Sequence, residues 1–164
     1  MQLSIRPINA AEFAPYGWLA DADGAEDGVM RRPINEGSSL RFDGVGELQL
    51  TAEGGAPCLA LFRAQPRDPR GPWRQLERHR LGTQSFVPMG GARYVMLAAL
   101  GDEQPDLATL AAFAVAGHQA VTLRAGTWHH GLIAPQGGDF VVIERRAVVV
   151  DCELTMLRAA VTLA

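Results

Sequence analysis

The chain has 164 residues, 48% hydrophobic and 20% charged, which suits a soluble globular protein with one sizeable core and argues against disordered, fibrous or membrane classes. Fifteen basic residues against 18 acidic ones leave a formal net charge of −3, and no basic stripe interleaved with aromatics points to nucleic acid. All fifteen cations are arginine, which excludes a Schiff-base lysine, ordinary pyridoxal-phosphate chemistry and a lysine-dependent phosphate loop.

Residues 3–8 alternate polar and apolar side chains, as a short strand does. Asn9-Ala10-Ala11-Glu12 then reads as a capping box opening one or two helical turns that end near Pro15-Tyr16-Gly17. Residues 21–55 are rich in Gly, Asp and Glu; 21–37 reads mostly as loop, and the only strand signal, a weak one, is at 45–51. Short apolar segments at 58–64, 84–88, 94–100, 119–123, 131–134 and 140–150 each predict a strand, separated by Gly, Pro and Asp. One later segment prefers helix: Asp106 can cap 107–115, placing Leu107, Leu110, Ala111 and Ala114 on one face. Many short strands with minor helix predict an all-β sandwich or antiparallel barrel in a single domain, 1–164.

Cys58 and Cys152 are far apart and neither belongs to a C-x-x-C motif, which argues against a zinc site or a disulfide scaffold. Each reads as a small buried hydrophobe in a reducing compartment. The first residues show no charged region followed by an apolar run. No apolar stretch reaches the roughly 20 residues that span a bilayer. The expectation is a cytoplasmic protein with no membrane and no nucleic-acid partner.

Three of the four histidines fall in two suggestive places. His79 lies in Glu77-Arg78-His79-Arg80-Leu81-Gly82-Thr83-Gln84, followed by Gly91, and the pair His129-His130 closes Arg124-Ala125-Gly126-Thr127-Trp128. This spacing resembles the two motifs of the cupin superfamily, H-x-H with an acid and a glycine downstream, and P-x-G-x-x-H. Glu77 stands where the first His would be, Gln84 where the acid would be, and Arg124 where the Pro would be, whereas Gly91, Gly126 and His129 match. Glu77, His79, Gln84 and His129 would offer oxygen and nitrogen ligands without thiolate, a set suited to Ni, Mn or Fe-type ions. A neutral Gln in place of a carboxylate weakens such a site. The alternative is that isolated histidines simply pack or cap strands.

Longer segments resemble one family within that superfamily. FRAQP (62–66), LERHRLGTQSFVPM (76–89), LGDEQPDLATLAAF (100–113) and GTWHHGLIA (126–134), with an opening PYGWL and an INEG near 34, are similar to ureidoglycolate lyase in order and spacing. The resemblance implies a homodimeric cupin that releases urea and glyoxylate from (S)-ureidoglycolate, late in allantoin and purine breakdown. It also implies stimulation by a divalent metal such as nickel, with no organic cofactor. That substrate is a carbinolamine carrying a carboxylate, and its C–N bond breaks when a base takes the hydroxyl proton while an acid or a metal helps urea leave.

His79 and His129 are the first candidates for this proton traffic, with Glu77 as the alternative base. An arginine should clamp the carboxylate in bidentate fashion. Arg63 is the preferred clamp and Arg41 the second, a surface ion pair being the alternative for either. Asn35 and Gln84 are candidates for the ureido amide. His130 should point away from His129 and serve structure or the entrance. His118 reads as a turn residue, and Trp73 and Trp128 as core or pocket wall. Glu144 either reaches the barrel interior or pairs with an arginine of a neighbouring subunit. Two other readings stay open: a metal-dependent cupin oxygenase or isomerase, and a non-catalytic cupin that binds a small carboxylate.

Overall fold

The structure is a computed structural model describing residues 1–24 and 29–164; positions 25–28 of the expected 21–37 loop lie outside the described residues. Two strands, β1 (Gln2–Leu3) and β2 (Ile5–Pro7), replace the single one expected at 3–8. The capping box holds: the Asn9 side chain accepts the Glu12 N–H at 2.9 Å and opens α1 (Ala10–Phe13), which buries Phe13. Next come β3 (Gly17–Ala20) and a hairpin of β4 (Met30–Ile34) and β5 (Ser39–Asp43). That hairpin corrects the expectation of loop through 37. Its strands pair only with each other, so they bury little and carry no apolar alternation. The weak signal at 45–51 yields no strand; Gln49 and Thr83 instead exchange two bonds of 3.0 Å each, and Leu50 is buried.

The strands β6 (Ala56–Ala64), β7 (Trp73–His79), β8 (Gln84–Pro88) and β9 (Tyr94–Ala99) follow. The helix expected over 107–115 is a turn and a strand. Asp106 accepts the Ala108 N–H on its side chain and the Thr109 N–H on its carbonyl, both at 3.0 Å, and β10 (Ala111–Val115) then runs between β9 and β2. Ala111, Phe113 and Val115 enter one apolar cluster while Leu110 and Ala112 enter another. Burial on both faces overrides the alanines' helical preference. The remaining strands are β11 (Ala120–Leu123), β12 (Trp128–His129), β13 (Gly138–Arg146) and β14 (Cys152–Leu163). Residues 131–134 supply a bridge from Ile133 to Val95 and no strand. The strand expected over 140–150 stops at Arg146, leaving Val148, Val149 and Val150 exposed.

Two sheets face each other, ordered β1-β14-β7-β12-β9-β10-β2 and β3-β11-β8-β13-β6. Pairing within them is antiparallel except β1 with β14 and β2 with β10. Phe86, Val121 and Phe140 of the smaller sheet pack on Tyr94, Met96 and Phe113 of the larger one, forming the interior core of the expected barrel. Trp73, Leu97 and Trp128 belong to a second cluster that also includes Leu3, Ile5 and Leu163. The strand β9 therefore sends alternate residues into both clusters and is buried throughout. Strands β7 and β14 contribute nothing to the interior core. The two-residue β12 joins β7 to β9, with His129 opposite Glu77 on one side and Ala98 on the other.

Candidate active site

Side chains two apart on a strand share a face, so Glu77 and His79 of β7 point the same way, and register places His129 of β12 beside Glu77. Their ligand atoms all lie within 4.8 Å of one another. From the opposite sheet comes Gln84, at the start of β8, with Glu144 alongside it on β13. His129 Nε2 lies 3.0 Å from Gln84 Oε1 and 3.4 Å from Glu77 Oε1, while His129 Nδ1 donates to the Thr127 carbonyl at 3.0 Å. Gln84 Nε2 donates to Glu144 Oε2 at 2.9 Å. The Gly126 N–H, in a left-handed turn with φ 85°, donates to the His79 carbonyl at 2.7 Å and ties the two histidine segments together. The spacing motifs thus converge on one place, and His129 is only 1% exposed there.

The electrostatics divide the two histidines. The hydrogen bond from His129, set against desolvation, holds the Glu77 carboxyl below its ordinary range. Burial, reinforced by the neighbouring His129, pushes His79 below the ordinary histidine value, so its ring is neutral at neutral pH. His79 Nδ1 lies 3.8 Å from Asp151, and its buried Nε2 has no hydrogen-bond partner among the described residues. Cys152 is opposite His79 on β14, its thiol 3.9 Å from Glu77 Oε2. Burial and then the carboxylates of Glu77, Asp151 and Glu144 raise that thiol's pKa. The expectation of a plain buried hydrophobe at Cys152 is corrected: it is half-buried at the edge of the site.

Beside this cluster opens a cleft of about 350 Å³ lined by Arg67, Trp73, Arg74, Glu77, His129 and His130, among others. The Arg67 guanidinium stands 4.5 Å over the Trp73 ring. His130 packs edge-on to Trp73 at 4.6 Å and donates from Nδ1 to the Gly131 carbonyl at 2.7 Å, so it shares the cleft with His129 and does not turn away from it.

The other expected substrate-binding residues are elsewhere. Arg63 is 74% exposed and makes a bidentate pair with Asp139, its register partner on β13, at 2.8 and 2.9 Å. Arg41 pairs with Asp43 within the exposed hairpin, and Asn35 turns that hairpin with φ 51°. None of Arg63, Arg41 and Asn35 lines the cleft. Each of the two arginines makes a surface ion pair in this structure. Sequence reasoning passed over Arg67 and Arg74, whose signal is their place just before and within β7, the strand that carries Glu77 and His79.

A divalent cation fits the chemistry of this cluster. Glu77, a ring nitrogen of His79 and His129 offer ligand atoms within reach of one ion, Gln84 Oε1 lies beside His129 Nε2, and the other ring nitrogen of His129 is held by a backbone carbonyl, the usual second contact of a metal-bound imidazole. A second group, Asp21, Asp23 and His118, lies near the surface, and Asp21 is already engaged by Gln119 Nε2 at 2.6 Å.

A family model described as ureidoglycolate lyase matches residues 1–164. A Burkholderia mallei (strain NCTC 10229) protein named ureidoglycolate lyase is 39% identical over 144 residues, which cover 87% of this chain and 82% of that protein. A namesake from Burkholderia cepacia is 34% identical over 161 residues, 96% of this chain and 88% of its own length. Another, from Salmonella typhimurium (strain LT2), is 36% identical over 146 residues, 88% of each chain. A match this long, over a barrel whose motif residues meet at one cleft, leaves one assignment: the chain belongs to the ureidoglycolate lyase family.

Proposed function

We propose that the protein cleaves (S)-ureidoglycolate to glyoxylate and urea, a step of allantoin and purine degradation. The observation that carries the reading is the cluster of Glu77, His79 and His129, two of which, Glu77 and His129, line an arginine-bearing cleft, in a member of this family. His79, whose pKa burial lowers, takes the substrate's hydroxyl proton. The electron pair left on oxygen by that deprotonation forms the second C–O bond of glyoxylate, the C–N pair leaves with the ureido nitrogen, and His129 returns a proton to that nitrogen from Nε2. Glu77 Oε1, 3.4 Å from His129 Nε2, orients that ring. Arg67, anchored over Trp73, binds the substrate carboxylate in place of Arg63. Those proton transfers describe the metal-free centre. Glu77, His79, His129 and Gln84 Oε1 would hold nickel or manganese weakly, and the ion when bound supplies Lewis-acid polarisation of a substrate oxygen.

Among the described residues no helix is long and apolar enough to cross a membrane. We place the protein in the cytoplasm, in keeping with its two free cysteines. A homodimer is proposed as well, with the exposed Leu59 and Leu61 of the edge strand β6 as its contact. Light scattering at micromolar concentration tests the dimer. Purified protein given (S)-ureidoglycolate should release urea and glyoxylate in equal amounts without consuming oxygen. Absence of urea would refute the lyase reading, and oxygen uptake would replace it with an oxygenase.

A further inference from the structure

We infer that Glu144 is a positioning residue for this centre: by accepting the Gln84 amide N–H, it turns the carbonyl oxygen of Gln84 toward His129. An amide has a donating and an accepting end of nearly the same shape, so its chemistry depends on which neighbour claims which end. Glu144 Oε2 accepts from Gln84 Nε2 at 2.9 Å and therefore takes the NH2 end of the amide. The carbonyl is left 3.0 Å from His129 Nε2. Thr127 fixes the other side of that ring through its carbonyl, so the oxygen of Gln84 faces the one imidazole nitrogen that points into the site. With the amide reversed, two hydrogens would face the cluster of Glu77, His79 and His129, and a donor would meet His129 in place of an acceptor.

This accounts for a neutral side chain at the position where the cupin motif carries an acid. A carboxylate at position 84 would face Glu144 on one side and Glu77 on the other. Placing the charge one strand outward, on β13, keeps a polarised oxygen at the centre without crowding three carboxylates. The neighbouring Gln84 is 4% exposed, so water does little to reorient its amide.

The kinetic part of the test rests on the proposed lyase activity; the spectroscopic part does not. In Glu144→Leu, kcat for urea release should fall about tenfold or more with KM within about twofold, the range seen when partners behind an active ligand are lost. The side-chain 15N spectrum of the purified protein without added metal should show His129 Nε2 changing from hydrogen-bond donor to acceptor. Gln84→Glu should lower kcat similarly. The double variant Gln84→Glu/Glu144→Gln should recover to within about threefold of the parent, because the introduced glutamine donates to one oxygen of the introduced carboxylate and leaves the other facing His129. Unchanged ring signals in Glu144→Leu, or a double variant no better than Gln84→Glu, would overturn the inference. If Glu144→Leu does not fold, the double variant decides, since both groups are retained there. A parent that releases no urea overturns the lyase reading alone, and the ring signals then decide the role of Glu144.

Discussion

Glu77 and His79 face the barrel interior, while Arg78, between them on β7, faces the other side. Both sides are polar, Arg78 buried and Glu77 and His79 partly so, yet they are finished differently. Arg78, 2% exposed, donates from Nε to Glu153 at 2.7 Å and from Nη1 to the Asp102 carbonyl; its buried Nη2 makes no hydrogen bond among the described residues but lies 2.7 Å from Glu153 Oε2 in an ion pair, and the guanidinium stands 4.4 Å over the Trp128 ring. Across the strand, His79 keeps a buried nitrogen without a hydrogen-bond partner among the described residues, and acceptors outnumber donors around His129. A buried polar group with its partners in place stabilises; one without them holds binding capacity in reserve, at a cost to the fold. The same strand thus carries a structural face and a reactive one.

Substitutions should separate the two faces. His79→Ala, on the unfinished side, should lower kcat by about a hundredfold or more, the usual contribution of a positioned acid or base. Its melting temperature should stay near the parent's, read by calorimetry beside the urea assay. Arg78→Met should do the reverse, losing about 2 kcal/mol of stability in urea unfolding with kcat unchanged, because hydrogen bonds to charge and a stacked guanidinium are removed from the face of β7 turned away from the chemistry. Arg67→Ala should raise KM about tenfold with little change in kcat, since a carboxylate anchor binds ground and transition states alike. Arg63→Ala should leave both constants at the parent values; a raised KM there would return the clamp to β6.

The smallest effect is a pH dependence on the finished face. The hydrogen bond from Arg78 holds the Glu153 carboxyl below its ordinary range. That carboxylate contributes stability above the ordinary glutamate pKa and loses it as pH falls through the lowered native value. Melting temperature followed from about pH 5 to about pH 3 should decline less steeply in Glu153→Gln than in the parent. An identical slope in both would show that Arg78 needs no charged partner.

Much of this was legible from the chain. Alternating apolar residues marked the strands that build the interior core, and the spacing of Glu77, His79, Gln84 and His129 brought four side chains to one place. What stayed hidden has physical causes. Strand β7 reads W-R-Q-L-E-R-H, a run whose charges break the apolar alternation because one face lines the site and the other embeds an arginine. Strand β10 reads as helix because alanine suits either state, and only its seat between β9 and β2 decides. Arg63 looked like a clamp because it follows an apolar strand. That its register partner would be Asp139 depends on the pairing of β6 with β13, more than seventy residues onward, which local pattern does not encode.

One of the two shortest strands of the larger sheet has the most consequential neighbours. Continuity between β7 and β9 passes through the two residues of β12, and one of them is His129. Its main chain works as a keystone while its imidazole works as a reagent, and these duties draw on different atoms. The side chain is therefore free to vary in chemistry without opening the arch, but a shift of the backbone there would disturb architecture and reactivity together. Variation among homologues at this point should be confined to what hangs from the α-carbon, with insertions and prolines kept out.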